Sequence, residues 1–379
     1  MLFGQIPMVF EIAIFTTIIV SIFSTKYFSF LDKAEQGREL TIDGLRAFLA
    51  LAVIYHHMVF SYNLFYGKGW IIDYPVNARL GKVALSFFFM ISAYILTQKN
   101  IQTTCGFIKF YINRFFRIAP MFWLSTSICL GTAIIFGSHI DYYSLLDKLC
   151  VWYDAGLFLT DRKPDINNFD KTYFINAGVM WSLSWEWLLY FSLPILIVLR
   201  HKINSFVISQ FLNFIAVYCI SYLSYTWAVF ILCFSLGMTA RDIKPFIKIP
   251  KTANNIIILL CLCIIFLRKT GPFDISTIVI EFILFVCICQ GGDFFGILRS
   301  KGAVRLGEVS YSIYLLHGIV LFYMNKILVH WNLSKIEYGL TALLCIILVC
   351  LSSCFTFVLI ESKGIMLGRH IYKKCVIEL

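Results

Sequence analysis

Four stretches of this chain carry polar side chains at spacings that could do chemistry. The first runs from Arg38 to Tyr62, RELTIDGLRAFLALAVIYHHMVFSY, an apolar helix of membrane length with Arg46 near one end and His57 near the other. Eleven residues at 3.6 per turn come to about 1100°, or ~20° past three whole turns, so the two share a face roughly 16 Å apart along the axis. His56 falls about 80° off that face by the same arithmetic. An arginine inside a span needs a partner or a watery cavity and marks a functional site by default. A histidine aligned with it suits proton transfer beside a charge stabiliser; a packing histidine is the bland alternative.

The second stretch, NRFFRIAPMFW, sets Arg114 and Arg117 three residues apart on one helix side. That spacing suits either a forked cationic clamp for a phosphorylated ligand or a positive-inside anchor with aromatic belt neighbours. Pro120 suits the first turn of a following helix. In MWSLSWEWLLYF, Ser182 and Glu186 stand at i and i+4 among Trp181, Trp185 and Trp187. The pair could hydrogen-bond one substrate beside stacking indoles, or the tryptophans could form an interfacial belt. RLGEVSYSIYLLHGIV places Glu308, Ser310, Tyr311, Tyr314 and His317 within one expected span. Unsatisfied polar groups cost several kcal/mol each in hydrocarbon, so these must line a bundle interior.

The elements that would hold these groups follow from composition. The chain has 379 residues, of which 60% are hydrophobic and 14% charged, with a mean hydropathy of +0.81. Apolar runs of about 20 residues recur, each able to cross a ~30 Å hydrocarbon core. The fold class is therefore all-α, a polytopic transmembrane helical bundle. Expected spans are 40–62, 79–98, 118–137, 174–199, 204–222, 225–240, 253–268, 275–291, 306–325 and 338–360, with a further apolar segment at 6–23, giving 10–11 in all. Residues 1–30 read as an extra N-terminal transmembrane helix and 31–379 as one membrane domain. The segment lacks a basic n-region, so retention fits better than cleavage as a signal peptide.

The net charge of +11 does not point to nucleic acid, because the basic residues lie in short runs between spans. Threading the spans alternately gathers them on one side, which places the N-terminus outside and the C-terminus in the cytoplasm. The longest outer loop, 138–173, is acid-rich (Asp141, Asp147, Asp154, Asp161, Asp165 and Asp170). Most of the thirteen cysteines lie inside apolar spans as small hydrophobes. The C-x-C pairs Cys261/Cys263 and Cys287/Cys289 point to different helix sides, so no metal site or disulfide framework is expected. A nucleophile elbow, a zinc-protease motif and a Walker A loop are all missing.

With GKVALSFFFMISAYIL between the first and second stretches, these motifs stand in the order seen in acyltransferase family 3, which the chain resembles from about Arg38 to its last span. Members are integral membrane proteins that transfer acyl groups, usually acetyl, onto surface glycans or related molecules. The resemblance implies a bacterial inner-membrane O-acetyltransferase with acetyl-CoA as cytoplasmic donor, no permanently bound cofactor, and a glycan or lipid-linked sugar such as a lipopolysaccharide O-antigen as outer acceptor. On that pattern Arg46 and His57 carry catalysis with Ser182 and Glu186. Arg114 and Arg117 hold the donor, while Ser310, Tyr311, His317 and Glu308 complete the polar lining. His57 would be general base, and Arg46 would stabilise negative charge or hold the donor. Ala47 and Ala93 replace glycines usual in the family, and the extra first helix is also unusual. A transporter or flippase, or a glycan polymerase, is the alternative class; internal repeats with broken helices would mark a transporter, and none is evident.

Overall fold

An apolar backbone in lipid must satisfy its own hydrogen bonds, and helices do so within each segment. The computed structural model describes residues 5–32, 38–72, 74–97, 101, 103–138, 142–158, 163–268, 270–333 and 335–377. Among them the chain forms α1 (Gln5–Ser24), α2 (Leu40–Phe65), α3 (Pro75–Leu96), α4 (Thr104–Phe136), α5 (Tyr142–Trp152), α6 (Trp181–Lys202) and α7 (Ser205–Tyr222). There follow α8 (Ala228–Ile243), α9 (Lys251–Leu267), α10 (Ile275–Cys289), α11 (Lys301–Glu308), α12 (Ser310–Leu328), α13 (Lys335–Thr356) and α14 (Ser362–Ile377). No strand is among them, so the all-α class holds.

Among the described residues seven helical segments are long and apolar enough to cross a membrane: α2, α3, α4, α6, α7, α12 with its last turn, and the continuous Glu337–Lys374. Three shorter apolar helices, Val9–Ser24, α9 and α10, accompany them.

Chain contacts divide the molecule into two compact units. The first comprises residues 1–56, 72–100 and 192–310. Within it α3 packs on α8 and α10, α8 on α7, α9 on α10, and α1 on α11. Gly237 lets α8 approach the Met90 carbonyl of α3, and Gly302 lets α11 approach the Val20 carbonyl of α1; a Cβ at either would collide with that backbone. Arg305 of α11, 4% exposed, then caps the end of α1. Its guanidinium donates to the carbonyls of Phe23 (2.8 Å) and Thr25 (2.6 Å) and pairs with both Asp32 oxygens at 2.7 and 2.8 Å. A helix terminus leaves its last carbonyls unsatisfied, and a cationic side chain is a favourable partner for them.

The second unit comprises residues 57–71, 101–191 and 311–379. Its α4 packs on α14, on the π-helical turn Phe357–Glu361 and on the 3-10 turn Thr172–Asn176. Pro120 lies inside α4 instead of opening a new helix, which corrects the expected start at 118. Proline has no N–H for the carbonyl four residues back, here Phe116. That carbonyl faces Gly364 of α14, where a Cβ would sit 2.7 Å from it. The proline is accommodated because a glycine brings a second helix against the disturbed turn. The loop around 138–173 contains α5 and is latched by a buried ion pair, Lys163 to Asp154 at 2.7 Å. Asp141 and Asp161 of that loop lie outside the described residues.

Two other expected spans are re-drawn. The segment beginning at 174 becomes α-helical only at Trp181, because Ala177 and Gly178 take left-handed φ values of 60° and 66° that a right-handed helix cannot include. The segment 306–325 is broken at Val309 (φ −95°, ψ 7°), so Glu308 ends α11 and does not share a helix with Tyr311, Tyr314 and His317. Gly307 allows the short α11 to lie against the Asp43 carbonyl of α2. Two charges of α11 are met within the first unit, Arg305 by Asp32 and Glu308 by Arg38 at 3.1 Å.

Candidate functional site

In the second unit the base expected at His57 meets a second histidine. His57 Nδ1 lies 2.9 Å from His317 Nε2, the rings 4.9 Å apart, though the residues are 260 positions apart in the chain. His317 is fully buried on α12, and its other nitrogen, Nδ1, lies 3.2 Å from the Ile313 carbonyl one turn back. A carbonyl only accepts, so His317 Nδ1 must donate. In the neutral ring Nε2 is then the acceptor, and His57 Nδ1 must donate to it. The chain of two hydrogen bonds leaves the His57 Nε2 lone pair as the basic atom. A helix carbonyl thereby sets the tautomer of His57 through an intervening imidazole.

Aromatic rings surround the pair. Phe60 and Trp70 each lie 6.2 Å from the His57 ring, and Trp70 stacks on Phe60 at 5.0 Å and on Phe174 at 4.2 Å. The turn carrying Trp70 passes through Gly67 and Gly69, with φ of 78° and 82°. Asn63, 2% exposed, pins it by donating to the Ile71 carbonyl at 3.0 Å and accepting at its own carbonyl from Lys68 N–H at 2.8 Å.

His56 is elsewhere. In the first unit its Nδ1 lies 2.6 Å from the Asn77 carbonyl, and its ring fills the space that a Cβ on Gly81 would need. The neighbour is thus a packing histidine and His57 the one beside another titratable ring.

Ser182, 4% exposed, approaches the Tyr314 hydroxyl at 2.6 Å and donates to the Val179 carbonyl at 3.0 Å. The Tyr314 ring is 6.0 Å from that of His317. Glu186 accepts from the Tyr190 hydroxyl at 2.9 Å. The Arg114 guanidinium rests over the rings of Tyr190 (5.4 Å) and Phe110 (5.6 Å), a geometry that suits arginine's planar, weakly hydrated cation. Tyr311 donates to the Ile118 carbonyl at 2.9 Å, one residue beyond Arg117. Ser182, Glu186, Arg114, Arg117, Tyr311, His317 and His57 therefore all belong to one compact unit. Glu308, Ser310 and the half-buried Arg46 fall in the other. A family model for an acyltransferase domain matches residues 39–360, most of the chain.

The chain belongs to acyltransferase family 3. No curated relative and no solved structure matches it. Family membership and the long apolar helices make the protein a multi-pass membrane acyltransferase.

Two polar residues of this acyltransferase escaped sequence reasoning. Ser312 is fully buried and donates to Glu361, 1% exposed, at 2.7 Å. The signal for Glu361 was present as an acidic residue directly after the apolar run FTFVLI, though at the end of a span it reads equally as a boundary charge.

Proposed function

We propose that this acyltransferase moves an acetyl group from cytoplasmic acetyl-CoA to a hydroxyl of a surface glycan, such as an O-antigen sugar of lipopolysaccharide, on the outer side of a bacterial inner membrane. The observation that carries the reading is the His57–His317 pair, whose hydrogen bonds put the proton of the neutral His57 ring on Nδ1 and make Nε2 its basic nitrogen. His57 Nε2 takes the proton of the acceptor hydroxyl, and the oxygen attacks the thioester carbonyl. The new C–O bond forms, the C–S bond breaks, and the coenzyme A thiolate takes the proton back from Nε2 as it leaves. Throughout, Nδ1–H stays donated to His317, which stabilises the imidazolium formed on the way. Arg114 and Arg117 meet the donor's phosphates, a role for which guanidinium forks are suited. Ser182, Glu186 and Tyr311 position the acceptor. Arg46 supplies positive charge, to the developing oxyanion or to the donor. The distribution of basic residues supports donor inside and acceptor outside.

The test is acetyl transfer from labelled acetyl-CoA by the purified protein in nanodiscs with a panel of glycan acceptors. His57→Ala should abolish transfer while retaining coenzyme A binding, and His56→Ala should retain both. Full activity in His57→Ala would refute the assignment. A protein that ignores coenzyme A altogether would refute the donor.

A further inference from the structure

The turn joining α13 to α14 is the one π-helical segment among the described residues, Phe357–Glu361. A π-turn carries an extra residue, which rotates everything after it by about 100° relative to an uninterrupted α-helix. Such turns are costly and concentrate at functional sites. This one ends on Glu361, and the carboxylate it aims inward is 1% exposed and receives the Ser312 hydroxyl at 2.7 Å.

The neighbour of Ser312 in the chain makes the second half of the argument. Tyr311 donates to the Ile118 carbonyl at 2.9 Å, so consecutive residues of α12 hold the Glu361 carboxylate and the backbone directly after Arg117. The helix bearing Arg117 also packs on the π-turn itself. Tyr311 lies within Coulombic reach of both Glu361 and Arg117, and of Glu186. An ionised carboxylate buried in the protein favours a nearby cation, and a guanidinium that must meet a planar anion needs its fork held in place.

We propose that Glu361 is a positioning residue that fixes the Arg117 guanidinium, so that Arg114 and Arg117 form a preset cationic fork for the phosphates of the acyl donor. The proposal rests on the donor role given to that pair above. It assigns Glu361 no contact with substrate. Its alternative is purely structural, with the carboxylate serving only as acceptor for Ser312.

Glu361→Gln separates the two, because the amide oxygen still accepts from Ser312 while the charge is gone. In full-length protein in nanodiscs, coenzyme A binding is measured by calorimetry and KM for acetyl-CoA by steady-state kinetics. Glu361→Gln should raise Kd and KM together by about tenfold, the scale of one charge-assisted contact, with kcat held within about twofold. Glu361→Asp should recover most of the affinity. Wild-type affinity in Glu361→Gln, or a loss confined to kcat, overturns the proposal. Should Glu361→Gln fail to fold, the double variant Glu361→Gln/Arg117→Gln decides. A folded double variant that binds coenzyme A weakly supports charge pairing, and one that stays unfolded refutes it. If the wild-type protein binds no coenzyme A, the proposed function fails rather than this inference.

Discussion

Replacing His317 tests the tautomer chain at the site. On the proposed mechanism the His57 ring becomes an imidazolium during proton transfer, and its Nδ1–H donates to the His317 ring nitrogen 2.9 Å away. A hydrogen bond involving a charged partner contributes about 1.5–3 kcal/mol. At 1.36 kcal/mol per tenfold, losing it lowers the rate by about 10- to 150-fold. His317→Ala should therefore reduce kcat by one to two orders of magnitude, on the order of 10–100-fold, with KM for acetyl-CoA little changed. His317→Gln places an amide near the lost Nε2, and its oxygen can accept from His57 Nδ1. It should recover most of the loss, whereas His317→Leu should behave like His317→Ala. The assay is initial-rate acetyl transfer by purified variants matched for folded fraction on size exclusion. Equal activity of Gln and Leu variants would refute the reasoning, because packing alone would then account for His317. So would a loss larger than that of His57→Ala, which would make His317 itself the base.

Four further outcomes concern the frame that holds the site. Arg305→Ala leaves the Phe23 and Thr25 carbonyls and both Asp32 oxygens without their Arg305 donors, and should cost about 3 kcal/mol, read as a lower thermal unfolding midpoint in detergent. Gly364→Val places a Cβ 2.7 Å from the Phe116 carbonyl and the Pro120 ring and should destabilise by roughly 1–3 kcal/mol. Gly131→Ala, with open space around its Cβ, should be neutral or better by up to ~1 kcal/mol. Asp154→Asn removes the counter-ion of Lys163, which is 6% exposed beside a carboxylate with no exposure and keeps only its bond to the Val151 carbonyl at 2.7 Å among those described, and should cost about 3 kcal/mol. The amides of Gly156 and Phe158, both bonded to Asp154, should exchange faster. Burial already lowers the Lys163 pKa against the pull of Asp154. Without Asp154 the unfolded chain binds that proton more tightly than the folded one, so the deficit should shrink as pH rises.

What could be read from the residues alone was face and period. Helical spacing separates His57 from His56 by about 80–100°, and the structure gives the two different partners, a carbonyl and a glycine-lined gap for His56 and an imidazole for His57. What could not be read was which face meets which. His317 was visible as a buried polar residue, yet nothing local says that it meets a ring 260 positions away. The breaks at Val309 and Ala177 and the π-turn before Ser362 were hidden for the same reason. Each interrupts a run that is uniformly apolar or helix-compatible.

Glycines explain much of that difference. Gly307, Gly302, Gly237 and Gly364 each lie where a Cβ would strike the backbone of another helix. In a sequence such glycines look like weak helix formers costing about 1 kcal/mol apiece. In the fold they are points where helices touch backbone to backbone, as small residues do between membrane helices. Gly307 brings α11 against Asp43, and the chain bends at Val309 soon after; Gly364 brings α14 against Phe116, directly after the π-turn. The interruptions that aim Glu361 and separate Glu308 from Tyr311 thus lie next to contacts made by residues whose side chain is a single hydrogen. Periodicity cannot register them, since it reports where side chains point, and these contacts exist because there is none.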